Sequence, residues 1–422
     1  MPNPDNKRPT PAFTLSRLPF VGHLFSNPAL RDRDFHKLCV GTTFNNMGMS
    51  GETVIMGILV FQITQSSTWV GIAIALYNVP MLIFGLASGV IADWMDRRTL
   101  LRRIELATVA SSLIFAALIL TVPDTLWLVI LYAVISGCIR DSAYAARMSY
   151  AYDLVGGANV IAGLSLLNLA SRTGQLIGAL VAGTMVHRHG APAAIGVLAV
   201  AHAIGYLFLL GLRSAGSVKA EERVPMTQNL RECFHEILSN KALLMLMIIT
   251  AMVEVFGFSF STTLPELASK RFGTGAEGLG QMHATRALGG IIAALALATF
   301  VGARGRGSIY LCVICAFGSS LILLSAADQF IFALGVLALV AALASASDVL
   351  TQSMMQLSVP DALRGRAMGF WVFSIGWAPI GHLEIGFLSD ALGVETALLI
   401  HGSVLIAIGL IAAIMVPRLR KL

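Results

Sequence analysis

GVIADWMDRRTLLRR, residues 89–103, lies between two long apolar stretches, and its reading decides the fold class. An acid, Asp93, closes one hydrophobic run. Asp96 and the basic cluster Arg97, Arg98, Arg102 and Arg103 follow at once, and then a second hydrophobic run begins. A tight polar hairpin between two apolar helices keeps charge in water while the helices on either side leave it.

The rest of the chain agrees with that hairpin. The 422 residues are 56% hydrophobic and 12% charged, and the mean hydropathy is +0.78. A soluble domain carries about 25% charged residues, so most of this surface must face lipid or other apolar helices. Backbone groups in lipid must bond internally, which leaves helices or closed barrels. Barrel strands alternate apolar and polar residues. Here the apolar runs are continuous and roughly 20 residues long, enough to cross about 30 Å of hydrocarbon. They fall near 38–63, 68–92, 100–122, 125–147, 158–186, 191–212, 241–265, 276–300, 308–326, 329–355, 367–389 and 394–416, which predicts twelve transmembrane helices. The expected layout is a tail (1–36), a six-helix bundle (37–212), a charged linker (213–240), a second six-helix bundle (241–416) and a basic tail (417–422). Two six-helix units joined by one linker fit a transporter built from repeated halves.

The net charge of +6 does not call for nucleic acid. Of the 29 Lys and Arg, Arg188, Lys270 and Arg271 occupy the odd-to-even loops, and Arg140, Arg172 and Arg286 lie inside spans. The others occupy the tails and the even-to-odd loops, so both termini are expected in the cytoplasm. The polar, then basic, N-terminal stretch reads as a cytoplasmic tail without a cleavable signal peptide, with one interfacial segment around 18–24. Five scattered cysteines form no disulfide framework. Cys312 and Cys315 read as small apolar packing residues, and His187-Arg188-His189 as an exposed basic loop rather than a metal site. No metal or cofactor is expected. No P-loop and no nucleophile–base arrangement in a polar domain is present, which excludes an ATP-driven pump and argues against an enzyme.

The chain repeats internally. RDSAYAARMSYAYDLVGGANVIAG ends span 4, and SDVLTQSMMQLSVPDALRGRAMG ends span 10. Aligning Asp153 with Asp361 brings Arg140 over Asp348. A glycine-spaced helix follows each segment, with Gly174, Gly178 and Gly183 in one and Gly376, Pro379, Gly381 and Gly386 in the other. Such spacing lets helices approach closely.

Twelve spans, the central linker and the hairpin together resemble the major facilitator superfamily. The hairpin is similar to its motif A through Gly89, Ala92, Asp93, Arg97 and Arg98, with Asp96 where many members have glycine. PDALRGRAMG (360–369) and Arg33-Asp34-Phe35 resemble the exporter branch that includes the enterobactin exporter. The resemblance implies a bacterial inner-membrane secondary transporter, monomeric and in many cases proton-coupled. It also implies a gate in which Gly89, Asp93, Arg97 and Arg98 hold one side of the protein closed, with Asp93 facing the start of span 11 and Arg97 or Arg98 pairing with acids at the inner end of span 4. One departure stands out: in span 5, Gly178 is followed by Ala179 where drug antiporters have proline.

Ionisable residues inside spans cost at least about 2.5–3.5 kcal/mol at mid-membrane unless paired or wet. Glu52, Glu254 and Asp141 are the proton-coupling candidates. Arg140, Arg172, Arg286 and Glu384 are the substrate or ion-pair candidates, and Asn45, Asn46, Tyr77, Tyr144 and Trp377 the polar and aromatic wall. The competing reading makes Glu254–Arg286, and Arg172 with a span 4 acid, structural ion pairs. The expected partners are a small-molecule substrate, protons and the lipid bilayer. The first functional expectation is proton-coupled export of a small organic or amphipathic compound by alternating access. Siderophore or metallophore export, uptake by proton symport, and a non-transporting sensor or scaffold are the alternatives.

Overall fold

The computed structural model describes residues 32–94, 96–122, 125–156, 160–214, 240–299, 305–359 and 364–415, and these residues are almost wholly helical, with no strand among them. Residues 1–31, most of the 213–240 linker and the C-terminal basic tail lie outside them, and the first helix begins at Arg33, inside the expected 1–36 tail. The first three helices are α1 Arg33–Thr64, α2 Ser67–Trp94 and α3 Arg97–Thr121. Helix α4 is Leu126–Val155. The helical stretch Val160–Leu210 is two rods, α5 (160–189) and α6 (191–210), because Gly190 has φ 81° and ψ 170°. A left-handed φ of this kind suits glycine, and Pro192 starts the next rod with its missing N–H harmlessly placed.

The second half repeats the pattern. Helix α7 starts as Lys241–Phe256 and continues through a 3₁₀ stretch, Phe258–Thr263, a short α turn, Leu264–Glu266, and a π turn, Leu267–Arg271. Pro265 explains the change of winding, since its ring excludes the carbonyl four residues back and supplies no donor. Helices α8 Gly275–Thr299, α9 Arg306–Ser325 and α10 Phe330–Leu357 follow. Helix α11 is broken into Arg364–Ile375 and Ala378–Leu392, the second rod carrying Pro379 in its first turn. Helix α12 is Val394–Met415.

Seven helical stretches among the described residues are long and apolar enough to cross a membrane, with Ala162–Leu210 counted as one. The twelve rods follow the twelve apolar spans in order. One boundary differs in a way that matters. Span 4 continues well past 147, so Arg147 lies inside α4 and is 6% exposed rather than in a loop. Helix propagation is favourable once nucleated, and a buried partner network holds this arginine in place.

Large apolar side chains line the outside, including Leu120, Trp127, Ile331 and Phe387. Polar residues such as Glu52, Glu105, Arg147, Glu254 and His401 are buried. This inversion is what lipid as the surrounding solvent requires. Within the halves α1 packs on α5 and α6, α2 on α4, α8 on α10, and α9 on α12. The halves meet along two seams, α2 with α11 and α5 with α8. In the second seam Gly183 and Gly280 bring the backbones together: a Cβ on Gly183 would sit 2.7 Å from the Ala276 carbonyl oxygen, and one on Gly280 would sit 2.5 Å from that of Ala179. Small residues are what let membrane helices pack this closely.

Candidate functional site

Between the halves lies a cavity of about 440 Å³. Its walls come from α1, α2, α4 and α5 on one side and α7, α8, α10 and α11 on the other. The first half contributes Asn46, Tyr77, Asn78, Arg140, Arg172 and Gln175, and the second contributes Glu254, Phe258, Phe260, His283, Arg286, Asp348 and His382. The irregular stretches carry several of these. Phe258, Phe260 and Pro265 lie on the non-α part of α7, and Ala378 and His382 follow the break in α11. Broken helices at mid-membrane expose backbone polar groups that a water-filled cavity can satisfy.

The arginines are held by neutral groups as well as by charge. Arg140 lies 4.1 Å above the Tyr77 ring and donates to Asn78 Oδ1 at 3.3 Å. Arg286 lies 5.0 Å above the Phe260 ring, with His283 Nδ1 at 3.5 Å. Arg172 bridges the halves, donating to Gln175 Oε1 on its own helix at 3.5 Å and to Ser345 Oγ of α10 at 3.4 Å. The Glu254–Arg286 ion pair does not form. Glu254 faces Asp348, and it is Asp348 that feels Arg172. Asp348 entered the sequence reading only as an alignment position. An acid inside an apolar span was the signal that marks it.

The expected wall residue Asn45 and the proton-coupling candidate Glu52 belong elsewhere. Asn45 and Glu52 sit on a different face of α1 from Asn46, Met49 and Thr53, and point into the core of the first half. There Glu52 accepts from Ser112 at 2.6 Å and Ser136 at 3.3 Å, and His202 Nε2 of α6 lies 3.3 Å from it. His202 Nδ1 is 3.9 Å from Glu105, which pairs with Arg147 at 3.3 Å, and Arg147 donates to Asn45 at 2.8 Å. Glu52, Glu105, His202 and Arg147 thus form one buried network of two acids and two bases. Glu105, His202 and Arg147 were missed, the last because it was assigned to a loop. Each is an ionisable residue flanked by apolar ones, so the rule that flagged Glu52 also applies to them.

Trp377 and Glu384 are not cavity residues either. Trp377 is 43% exposed, because the break in α11 turns it outward. Glu384 lies 3.4 Å from His401 Nε2, and His401 Nδ1 meets the Phe256 carbonyl at 3.1 Å. The side chains of Gly89, Asp93, Asp141 and Tyr144, and those of 361–369, lie outside the described residues. His187, Arg188 and His189 are exposed, and among the described residues no group of three or more His, Cys, Asp or Glu could hold a metal ion.

The hairpin's arginines tie the first half together. Arg97 donates to both oxygens of Asp153, at the end of α4, at 2.8 Å. Arg98 donates to the Arg213 carbonyl at 2.8 Å, and Arg102 to the carbonyls of Leu209, Leu210 and Leu212 at the end of α6. A guanidinium at a helix C-terminus satisfies orphan carbonyls and meets the negative end of the dipole. Asp34 completes this face by accepting from the Arg213 and Ser214 backbones at 2.8 and 2.7 Å.

The opposite face is clasped across the halves. Asp390, near the end of α11, accepts from the backbone N–H of Ser67 at 2.8 Å and of Thr68 at 3.0 Å, and from the Ser66 hydroxyl. It therefore caps α2 from the other half, where an anion meets the positive end of a helix. Ser67 also donates to Glu266 of α7.

Comparison with known proteins adds the identity. Residues 38–276 match the family described as Major Facilitator Superfamily. A staphyloferrin A transporter of Staphylococcus aureus is 24% identical over 80% of this chain and 85% of its own length. The enterobactin exporter EntS of Citrobacter koseri is 24% identical over 89% of each chain. The crystal structure of a peptide transporter, POT, in complex with sulfate superposes with a TM-score of 0.76 at 14% identity, covering 92% of this chain and 95% of that one. These relatives are transporters rather than enzymes. A family match over more than half the chain, and a cavity walled by four helices from each half, lead to one conclusion: the chain belongs to the major facilitator superfamily of multi-pass membrane transporters.

Proposed function

We propose that this protein is a proton-coupled exporter that moves a small organic compound of the siderophore kind across the bacterial inner membrane by alternating access. The observation that carries this reading is the charged cavity shared by the two halves, in which Arg172 of one half reaches Ser345 beside Asp348 of the other. Groups that bond across the seam must change partners when the halves rock, which couples occupancy to conformation. The names of the relatives supply the word siderophore, and the charged lining supports it.

In this reading Glu254 and Asp348 exchange the coupling proton inside the cavity, and the substrate occupies the arginine wall. The Asp390 clasp closes the outer face. The hairpin at 89–103 closes the inner one, with both termini cytoplasmic, a six-helix bundle on each side of the 213–240 linker, and the monomer as the working unit.

The test is proton movement in proteoliposomes under an imposed pH gradient, read by an internal dye while chemically varied compounds are added. Glu254→Gln and Asp348→Asn should abolish any compound-dependent proton flux, and Glu52→Gln should leave it measurable. Loss in Glu52→Gln alone, with Glu254→Gln unaffected, would move the proton site into the core of the first half. Substrate flux that is indifferent to the gradient would remove proton coupling.

A further inference from the structure

We infer that the cavity takes an organic polyanion, a compound with two or more carboxylates or equivalent planar oxyanions, held by Arg140, Arg172 and Arg286. The inference rests on the transporter reading above and names its substrate class.

The argument begins with charge. Three guanidiniums line the cavity against two carboxylates among its described residues. Asp348 feels Arg172, while among the described residues Arg286 makes no ion pair, its neighbours being a phenyl ring and a histidine. An arginine at mid-membrane with no acid beside it is costly by insertion scales. An anionic ligand removes that cost when it binds.

Geometry narrows the anion. Arg140 and Arg286 each hold the guanidinium carbon over an aromatic ring, 4.1 and 5.0 Å from its centroid. A ring against one side of a guanidinium leaves N–H donors directed elsewhere, where a carboxylate can be bound in bidentate fashion. An arginine held this way is also pre-organised, so little freedom remains to be lost. The three arginines come from α4, α5 and α8, so they address separate groups on one ligand rather than one point charge. Arg172 already bonds to both halves, and an anion spanning Arg172 and Arg286 would tie α5 to α8. A cavity of about 440 Å³ has room for such a molecule and lies within the range of drug-sized sites.

The experiment uses the full chain purified in detergent and three probes: tricarballylate, its trimethyl ester and tetraphenylphosphonium. Tricarballylate should bind, and the ester and the cation should bind at least about tenfold more weakly, as expected when charge-assisted hydrogen bonds are lost. Arg286→Gln should weaken tricarballylate binding by about tenfold or more. Arg286→Lys, which keeps the charge and loses the fork, should retain part of it, so a folding defect in the first variant does not decide the question. Equal or tighter binding of the ester or the cation would overturn the inference, as would an Arg286→Gln protein with unchanged affinity for tricarballylate. Anion binding without flux in proteoliposomes counts against the export reading and leaves this one standing. Flux of neutral or cationic compounds without anion binding does the reverse.

Discussion

The two halves solve the same packing problem with different chemistry. In the first half the core between α1, α3, α4 and α6 is ionic: Glu52, Glu105, Arg147 and His202 meet there, with Ser112, Tyr132 and Ser136 around them. In the second half the corresponding space between α7, α9, α10 and α12 is filled by hydroxyls, with Tyr310 among Thr250, Ser347 and Thr351, and His401 beside Ser259. Of the second half's acids, Glu254 and Asp348 face the cavity instead, and Glu384, partly exposed, reaches His401 from the side. The repeat therefore conserves the place of a polar core and not its charge. Charge pairs in the first half tie four helices to one another, while carboxylates at a cavity wall lie where the halves meet.

The largest expected effect tests those ties. Arg147→Leu takes the guanidinium partner from buried Glu105 and should lower the stability of the purified protein by about 3–5 kcal/mol, the cost of breaking a buried pair. Tyr310→Phe, the matched change in the second half, should leave it nearly unchanged, since the buried Tyr310 hydroxyl makes no hydrogen bond among the described residues. Denaturant titration in detergent reads both. Equal losses would erase the contrast between the cores.

Function should divide the other way. Asp348→Asn is expected to abolish compound-dependent proton flux while the thermal transition moves little, since the side chain faces the cavity and not the core. A variant that fails to fold would place Asp348 with the structural ions and make the halves alike.

The clasp gives a smaller effect. Asp390→Ala removes the cap on α2 and should cost about 1 kcal/mol of closure at the face that carries the 64–67 turn, a shift of about fivefold in population. Its measure is the labelling rate of a cysteine at the cavity position Ser261, with an impermeant reagent applied from the face that carries the 64–67 turn. An unchanged rate would mean that the α5–α8 glycine contact closes that face without help. The smallest effect belongs to Arg97→Gln, about 1 kcal/mol or less for a partly buried pair with Asp153. A loss as large as that of Arg147→Leu would make the hairpin, and not the core network, the keystone of the first half.

Much of this could be read before any coordinates. The number and order of the spans follow from runs of apolar residues, and the pairing of Arg97 with a span 4 acid follows from their position at one end of neighbouring helices. Arg147 was misplaced because hydropathy loses its signal where a helix carries polar residues near its end. Glu52 and Asn46 show the limit most clearly. They lie six positions apart on one apolar helix, yet one is sealed in the core and the other lines the cavity.

Hydropathy and loop charge are local quantities, so the chain's residues alone specify a multi-helix membrane protein with a repeated half and a short list of buried charges. Which of those charges meet is non-local. It depends on how the halves pack, on the rotation of each helix about its axis, and on the breaks at Pro265 and before Pro379. The three-dimensional arrangement brought Asp348 into the cavity opposite Glu254, turned Trp377 out of it, and set Asp390 across the seam as the cap of α2. Helix rotation is fixed by packing against neighbours, and a run of apolar residues carries no record of which neighbour each face will meet.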